Sequence, residues 1–354
     1  MRIASVDVVP VVMPKEDPRW RFALAAQPET YGFLVTIRTD AGLEGVGYTG
    51  ATAHIGAGAE RVRSDLRALA ERLTGAAVPD PDELDALPGT NHAKAAFDVA
   101  IHDLRARERG VPLHRLFGPL VREDVALLRI LALKAPADVA RNAHALVDEG
   151  YAWLKIKLDG DLETDVARVR AVRDAVGPSV HLTVDANQSY RPDGAIAAAR
   201  RMEELGVELF EQPVAYDDLA GLTRVSAAVD MAIEADESAQ SLGDVQRLVA
   251  IRAVDSVSLK IPKLGGLAKT REAARLCADA GMRCRIGATV GSRLLAAAAM
   301  HLVAATEAIG EPCELAEFAR LRNDPAEGLE PVGGRLRVPS GVGLGVRLRT
   351  PART

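Results

Sequence analysis

A chain of 354 residues carrying 44 Lys and Arg against 49 Asp and Glu, net −5, is long enough for a barrel of about 250 residues and one smaller domain. Its basic residues are scattered along helical segments instead of forming a stripe, which argues against nucleic acid as a partner. No run of about 18 apolar residues exists to span a bilayer, and the opening MRIASVDVVPVVMP alternates like a strand without the apolar core of a signal peptide, so a soluble, cytoplasmic protein with no membrane contact is expected.

Residues 1–122 read as a small α+β domain. Ile3 to Met13, Tyr31 to Arg38 and a third segment through Gly45, Val46 and Gly47 predict three antiparallel strands, with Asp40-Ala41-Gly42 as a turn. Helical spacing follows at about 58–73, where Val62, Leu66 and Leu69 share a face, and at about 91–108, where Ala95, Val99 and Leu104 do. Two loops interrupt this domain, one with Trp20, Arg21 and Phe22 and one with His54. Loops of this length carrying aromatic and basic residues are candidates for a lid over a pocket.

Residues 123–325 alternate strand and helix. Apolar runs of four to six residues, LKIKL, LTVDAN, ELFEQP, AIEADES and VSLKIPK, each precede a helix-like segment. They close on Lys157, Asp185, Glu211, Asp236 and Lys260, at successive gaps of 28, 26, 25 and 24 residues by subtraction. One strand-plus-helix unit occupies about this length in a (β/α) barrel, so the five residues are expected on one rim, the C-terminal mouth. A strand at 126–133 should open the barrel, helices are expected at 136–149, 163–176, 192–205, 216–228, 242–251, 267–280 and 291–307, and Arg283 to Ala288 and Cys313 to Ala316 should supply the seventh and eighth strands. The tail, 326–354, holds two short strand-like pieces, Leu336-Arg337-Val338 and Val346-Arg347-Leu348, expected to return to the N-terminal domain. Cys277, Cys284 and Cys313 lie in apolar segments without C-x-x-C spacing and read as buried thiols.

Three carboxylates at one mouth repel one another and match the oxygen ligands of a hard divalent cation. Asp185, Glu211 and Asp236 are therefore expected to hold Mg²⁺, with Mn²⁺ an acceptable substitute; Glu237 competes with Asp236 for the third place. Asp185 and Asp236 have helix capping as an alternative role. Lys155 and Lys157, two apart on a strand, should face the same side, and mutual repulsion with partial burial should lower a lysine pKa, leaving Lys157 a usable base. Lys260 would stand across the mouth, so Lys157, Lys260 and Lys155 are the catalytic candidates. A substrate carboxylate beside the cation, losing the proton on its neighbouring carbon, is the chemistry such a set suits.

From about Gly42 to Gly345 the chain resembles the enolase superfamily, in particular its muconate-lactonizing-enzyme subgroup. The resemblance rests on Lys155-Ile156-Lys157, Asp185-Ala186-Asn187, Glu211-Gln212-Pro213, Asp236-Glu237-Ser238 and Lys260-Ile261-Pro262-Lys263 with Gly265-Gly266. It implies a capping domain over a modified (β/α)₇β barrel, Lys157 and Lys260 as an acid/base pair, a Mg²⁺-supported enolate, a small-molecule carboxylate as substrate, and a homo-oligomer. Strand seven holds no His, which disfavours the mandelate-racemase-like branch. Dipeptide epimerases resemble one another in an Asp-x-Asp on strand eight, where this chain has Cys313-Glu314-Leu315-Ala316-Glu317; this looks more like a cycloisomerase, with Glu314 able either to meet a cationic substrate group or to form an ordinary salt bridge. Trp20, Arg21, Phe22, His54, Asn187 and Glu314 are the substrate-binding candidates. The expected activity is isomerisation (cycloisomerase, racemase or epimerase), with dehydration by β-elimination or carboxylate binding without turnover as alternatives.

Overall fold

The computed structural model describes residues 1–349. Ile3–Pro14, Glu29–Thr39 and Glu44–Gly50 form a three-stranded antiparallel sheet with Glu29–Thr39 central. Helices Ala59–Leu73 and Asn91–Glu108 pack beside it. Gly45 and Gly47 permit the contact with the second helix: a Cβ on Gly47 would lie 2.0 Å from the Ala96 carbonyl oxygen, and one on Gly45 would lie 2.3 Å from that of Ala100.

Helix 91–108 is buried almost all round, as expected of an element enclosed on several sides. Ala95 and Val99 belong to the main core that fills the barrel, whereas Phe97, Ile101 and Leu104 belong to the core of the small sheet. The apolar face read from spacing is thus divided between two cores. The helix is also tied to the barrel mouth. Asn91 Nδ2 donates to the Lys263 carbonyl at 2.7 Å, and the Asp98 carboxylate accepts the Leu267 N–H at 2.6 Å.

Seven parallel strands follow in sequential order, Leu128–Leu131, Trp153–Lys157, His181–Asp185, Val207–Glu211, Ala232–Ala235, Ser256–Leu259 and Arg283–Ile286; they are numbered here as barrel strands one to seven. Most of their residues are buried, which explains why the segments read as apolar runs. The eighth segment does not form a regular strand. Cys313 bridges Leu127, and the Glu314 N–H donates to Ile286 O at 2.9 Å, so two residues close the ring between strands one and seven. Capping trims the helices relative to the spacing: the Asp218 side chain accepts the Gly221 N–H and starts a helix at Leu219, and Ser292 caps one starting at Arg293.

No eighth helix follows among the described residues. A 3₁₀ turn, Glu317–Arg320, takes its place against strand one, and the N-terminal domain closes over it. Glu16 N donates to Arg320 O at 3.0 Å, Arg322 N to Pro14 O at 2.8 Å and Leu133 N to Arg21 O at 2.9 Å. The tail corrects the expectation placed on it. Arg335–Arg337 pairs with Asp124–Ala126 at the start of the barrel, and Arg347–Leu348 pairs with Ala326–Glu327; neither joins the N-terminal sheet. A loop makes the return instead, through Leu113 N to Gly343 O at 2.8 Å and Leu344 N to Asp103 at 2.8 Å.

Gly47→Ala should lower unfolding stability by about 1–3 kcal/mol, the cost of forcing extra volume into a packed contact. Gly243→Ala, in the helix Leu242–Ile251, where the nearest atom is the Ser241 Oγ at 3.7 Å, should cost nothing and gain up to about 1 kcal/mol of helix propensity. Urea unfolding of both variants checks the contrast.

Candidate active site

The C-terminal ends of barrel strands two to six carry Lys157, Asp185, Glu211, Asp236 and Lys260, as the spacing required. The backbone turns sharply just beyond two of these residues, Asp185 and Glu211. Asn187, Gln188 and Gln212 have φ of +43°, +72° and +36°, a region non-glycine residues rarely enter and one that clusters at functional sites. The strained turns position side chains. Asp185 Oδ1 accepts the Asn187 N–H at 2.8 Å, and Gln212 Oε1 accepts the N–H groups of Asp236 and Ser238 at 2.9 and 3.1 Å.

Each ligand candidate is buried and engaged by an ammonium group. Lys157 pairs with Asp185 and donates to Asn187 Oδ1 at 2.9 Å. Lys155 Nζ lies 2.8 Å from Glu211, 2.6 Å from Glu314 and 3.5 Å from Asp185. Lys260 and Lys263 hold the two oxygens of Asp236 at 2.6 and 2.7 Å. Asn187 Nδ2 donates to Glu237 Oε1 at 3.0 Å.

Below them sits Arg285 on strand seven, which reaches Glu211 at 3.0 Å, Glu314 at 3.1 Å and Glu234. Neither Arg285 nor Glu234 was singled out from sequence. The available signal was period two along the strand, which puts Arg283 and Arg285 on one face; Arg283 is exposed at the start of the strand, and Arg285, two residues further in, is buried.

The charges shift one another. Burial and the nearby Asp185 push the Glu211 carboxyl well above the usual carboxylate range. Burial, Asp236 and Asp185 raise Glu237 to about 7. Burial also opposes ionisation of Asp236, but Lys260 and Lys263 outweigh it and hold that group well below its usual value. The depressed pKa expected for a paired lysine does not hold at Lys155. Burial lowers it, yet Glu211, Glu314 and Asp185 together raise it well above the ordinary value, because the close neighbours of the ammonium are carboxylates and not Lys157. Lys260 is raised too, with Asp236 overcoming burial.

Lys155, Lys157, Asn187, Asp236, Glu237, Lys260 and Glu314 line one cavity, roofed by Trp20, Phe22 and His54. Phe22 is buried, with Lys157 Nζ 5.6 Å from its ring centroid and the His54 ring edge-on at 5.2 Å. Burial and Lys260 lower His54 to about 4, so this imidazole stands neutral at the roof. Arg21 is not brought to the cavity: its side chain is exposed, and its backbone carbonyl serves the Leu133 N–H. Glu314 reaches the cavity wall, but it is spent on Lys155, Arg285 and the Ala288 N–H, which is the salt-bridge alternative.

Among the described residues no three acidic, histidine or cysteine side chains are gathered as a ready metal cluster; ammonium groups stand against Asp185, Glu211 and Asp236 instead. The donors nonetheless fit a hard cation. They are carboxylates only, and Glu211 Oε1 and Glu237 Oε2 are buried without hydrogen-bond partners, a state that a bound cation would relieve.

Residues 3–118 match the mandelate racemase/muconate lactonizing enzyme N-terminal domain, and residues 138–352 match the enolase C-terminal domain-like family. The chain belongs to the mandelate racemase/muconate lactonizing enzyme family of the enolase superfamily. It is an enzyme of that superfamily, with the capped modified barrel expected from its sequence. It is 32% identical to an L-Ala-D/L-Glu epimerase from Bacillus subtilis over 86% of this chain and 85% of that one. It is 32% identical to a chloromuconate cycloisomerase from Pseudomonas putida over 98% and 96%. The dipeptide epimerase of Enterococcus faecalis, in a crystal structure with Mg and L-Leu-L-Tyr, superposes with a TM-score of 0.92 at 29% identity, covering 98% of this chain and 99% of that one. Epimerase and cycloisomerase thus stand at equal identity, and identity alone does not choose between them.

Lys155→Met should lower unfolding stability by about 3–5 kcal/mol, because it leaves buried carboxylates without their cation; urea denaturation at neutral pH checks this. The Glu314 carboxyl is opposed by burial yet held at about 2 by Lys155 and Arg285, below its unfolded value of about 4.3. Its pairing therefore contributes stability above about pH 4.3 that is lost as pH falls toward 2. Glu314→Gln should flatten that segment of the stability–pH curve.

Proposed function

We propose that the enzyme is a Mg²⁺-dependent isomerase that moves a proton on the carbon α to a substrate carboxylate, working as a racemase or epimerase. The carrying observation is that Lys157, from strand two, and Lys260, from strand six, line a single cavity with the strands of Asp185, Glu211 and Asp236 between them. Two ammonium groups that approach one carbon from different sides suit removal of a proton on one face and its return on the other.

In this reading Asp185, Glu211 and Asp236 hold Mg²⁺, which supplies a Lewis-acidic centre that offsets the negative charge developing on the substrate carboxylate. Lys157 is oriented by Asp185 and Asn187, and Lys260 by Asp236. The lysine that enters the cycle neutral takes the proton, and its counterpart, still charged, delivers one to the opposite face. Lys155 stays charged among three carboxylates and serves to hold Glu211 and Asp185 in place. Phe22 and His54 cover the reacting carbon and exclude water, which strengthens each charge interaction beneath them. The relatives, one acting on a dipeptide and one on a chloromuconate, support the enolate step in common and leave the second step to the substrate.

α-Proton exchange in D₂O with Mg²⁺, followed by mass spectrometry across N-acylamino acids, dipeptides and muconate-type acids, tests the proposal. Exchange with inversion is expected. Exchange followed by loss of water would make the enzyme a dehydratase, and lactone formation or opening without inversion would make it a cycloisomerase. Lys157→Ala and Lys260→Ala should each lose about 10²–10⁴-fold in exchange rate, with circular dichroism and Mg²⁺ affinity retained; full exchange in both would refute the acid/base assignment. Glu211→Gln should weaken Mg²⁺ binding by calorimetry, and unchanged affinity would remove it from the ligand set.

A further inference from the structure

Beside the lysine cavity lies a second of about 330 Å³, in the position that an eighth barrel helix would fill. It borders the first through Trp20, Ile130 and Val290, which line both. Four cations line it, and three are held by the cavity's own carboxylates. Lys134 pairs with Asp17 at 2.5 Å, Arg129 with Glu317 at 3.0 Å, and Arg320 with Glu16 at 3.4 Å and with Glu149.

The fourth is Lys15. It is 7% exposed, and among the described residues no carboxylate lies within 4.0 Å of its ammonium. Lys15 Nζ sits 3.6 Å from the Trp20 ring centroid and donates to Gln27 Oε1 at 2.9 Å. Gln27 lines the lysine cavity, so this hydrogen bond runs from one chamber to the other. A buried ammonium with only an amide oxygen and a ring face for partners is incompletely compensated. Burial, assisted by Lys157, draws its pKa down to about 7, although Glu317 and Asp17 oppose the shift.

We propose that the second cavity is a subsite for a second carboxylate of the substrate, carried on an acyl or side-chain tail that passes Trp20 and pairs with Lys15. The inference rests on the reading that places the α-carboxylate and its carbon between Lys157 and Lys260. A tail carboxylate would complete the one incomplete ion pair among the described residues of the cavity wall, and would displace or share the Gln27 contact. The substrate class is accordingly an N-acylated amino acid or a dipeptide with a remote carboxylate, and a neutral tail of equal size is disfavoured.

Two matched pairs test this on the full chain with Mg²⁺. They are N-succinyl-L-alanine against its terminal-amide analogue, and L-Ala-L-Glu against L-Ala-L-Gln, with binding read by calorimetry and α-proton exchange by mass spectrometry. In at least one pair the carboxylate member should bind about tenfold or more tightly than the amide, the scale of a charged hydrogen bond. Lys15→Met should erase that ratio, and Lys15→Arg should keep it. Equal binding within both pairs, no binding of either, or a preference that survives in Lys15→Met would overturn the subsite. A Lys15-dependent preference without exchange would leave the subsite standing and refute the isomerase reading. Exchange without a preference would do the reverse.

Discussion

The structure depends on mutual neutralisation at the barrel mouth. Asp185, Glu211, Glu234, Asp236, Glu237 and Glu314 face Lys155, Lys157, Lys260, Lys263 and Arg285, six acids against five bases, and all but the half-buried Lys260 are buried. No one of them is tolerable alone, since an isolated buried charge costs several kcal/mol. The barrel solves this by delivering one to three members from each of strands two to seven, or from the turns at their ends, and one from the closing segment. The sequence separations are large, but the pairs are direct contacts, and the set forms only when the ring is closed. Folding and assembly of the site are therefore one event.

The one-charge excess of acid has a chemical use. Glu211 and Glu237 are the groups whose ionisation burial opposes most visibly, and each keeps an oxygen without a hydrogen-bond donor. A divalent cation accepted there would turn the excess into a modest positive balance, which the substrate carboxylate then answers. The lysines are held by the same acids that would receive the cation. In the proposed reaction, ion binding and the release of Lys157 and Lys260 for proton transfer would be opposite sides of one exchange of partners.

Much of this was legible in the chain because strands buried on both faces write long apolar runs, and because their polar ends recur at the length of one βα unit. Lys157, Asp185, Glu211, Asp236 and Lys260 could be placed on one rim for that reason. Arg285 was passed over because an arginine inside a barrel strand looks like an interruption until its carboxylate partners, 51 and 74 residues away in sequence, are known. Lys15 was hidden similarly, since its burial is created by Trp20, Glu317 and Leu321, which no local pattern links to it. The lysine pKa argument failed at Lys155 because it counted the neighbour two residues along the strand and not the acids on strands three and four and the closing segment. The tail strands were misplaced because two- and three-residue strands carry no mark of the partner they will choose.

The docking of helix 91–108 bears on how a substrate enters. Asn91 holds the carbonyl of Lys263, and Asp98 holds the first N–H of the helix at Leu267 so closely that a Cβ on Gly266 would fall 2.3 Å from its carboxyl carbon. The small domain is thus bolted to the turn that carries Lys260 and Lys263, and swinging it away as a body would disturb their pairing with Asp236. The two loops bearing Trp20, Phe22 and His54 lie outside this docking contact and form the roof of the cavity. The roof aromatics thus stand on segments that supply none of the paired lysines and carboxylates of the mouth, so the fit of the roof can change without disturbing the charges beneath it.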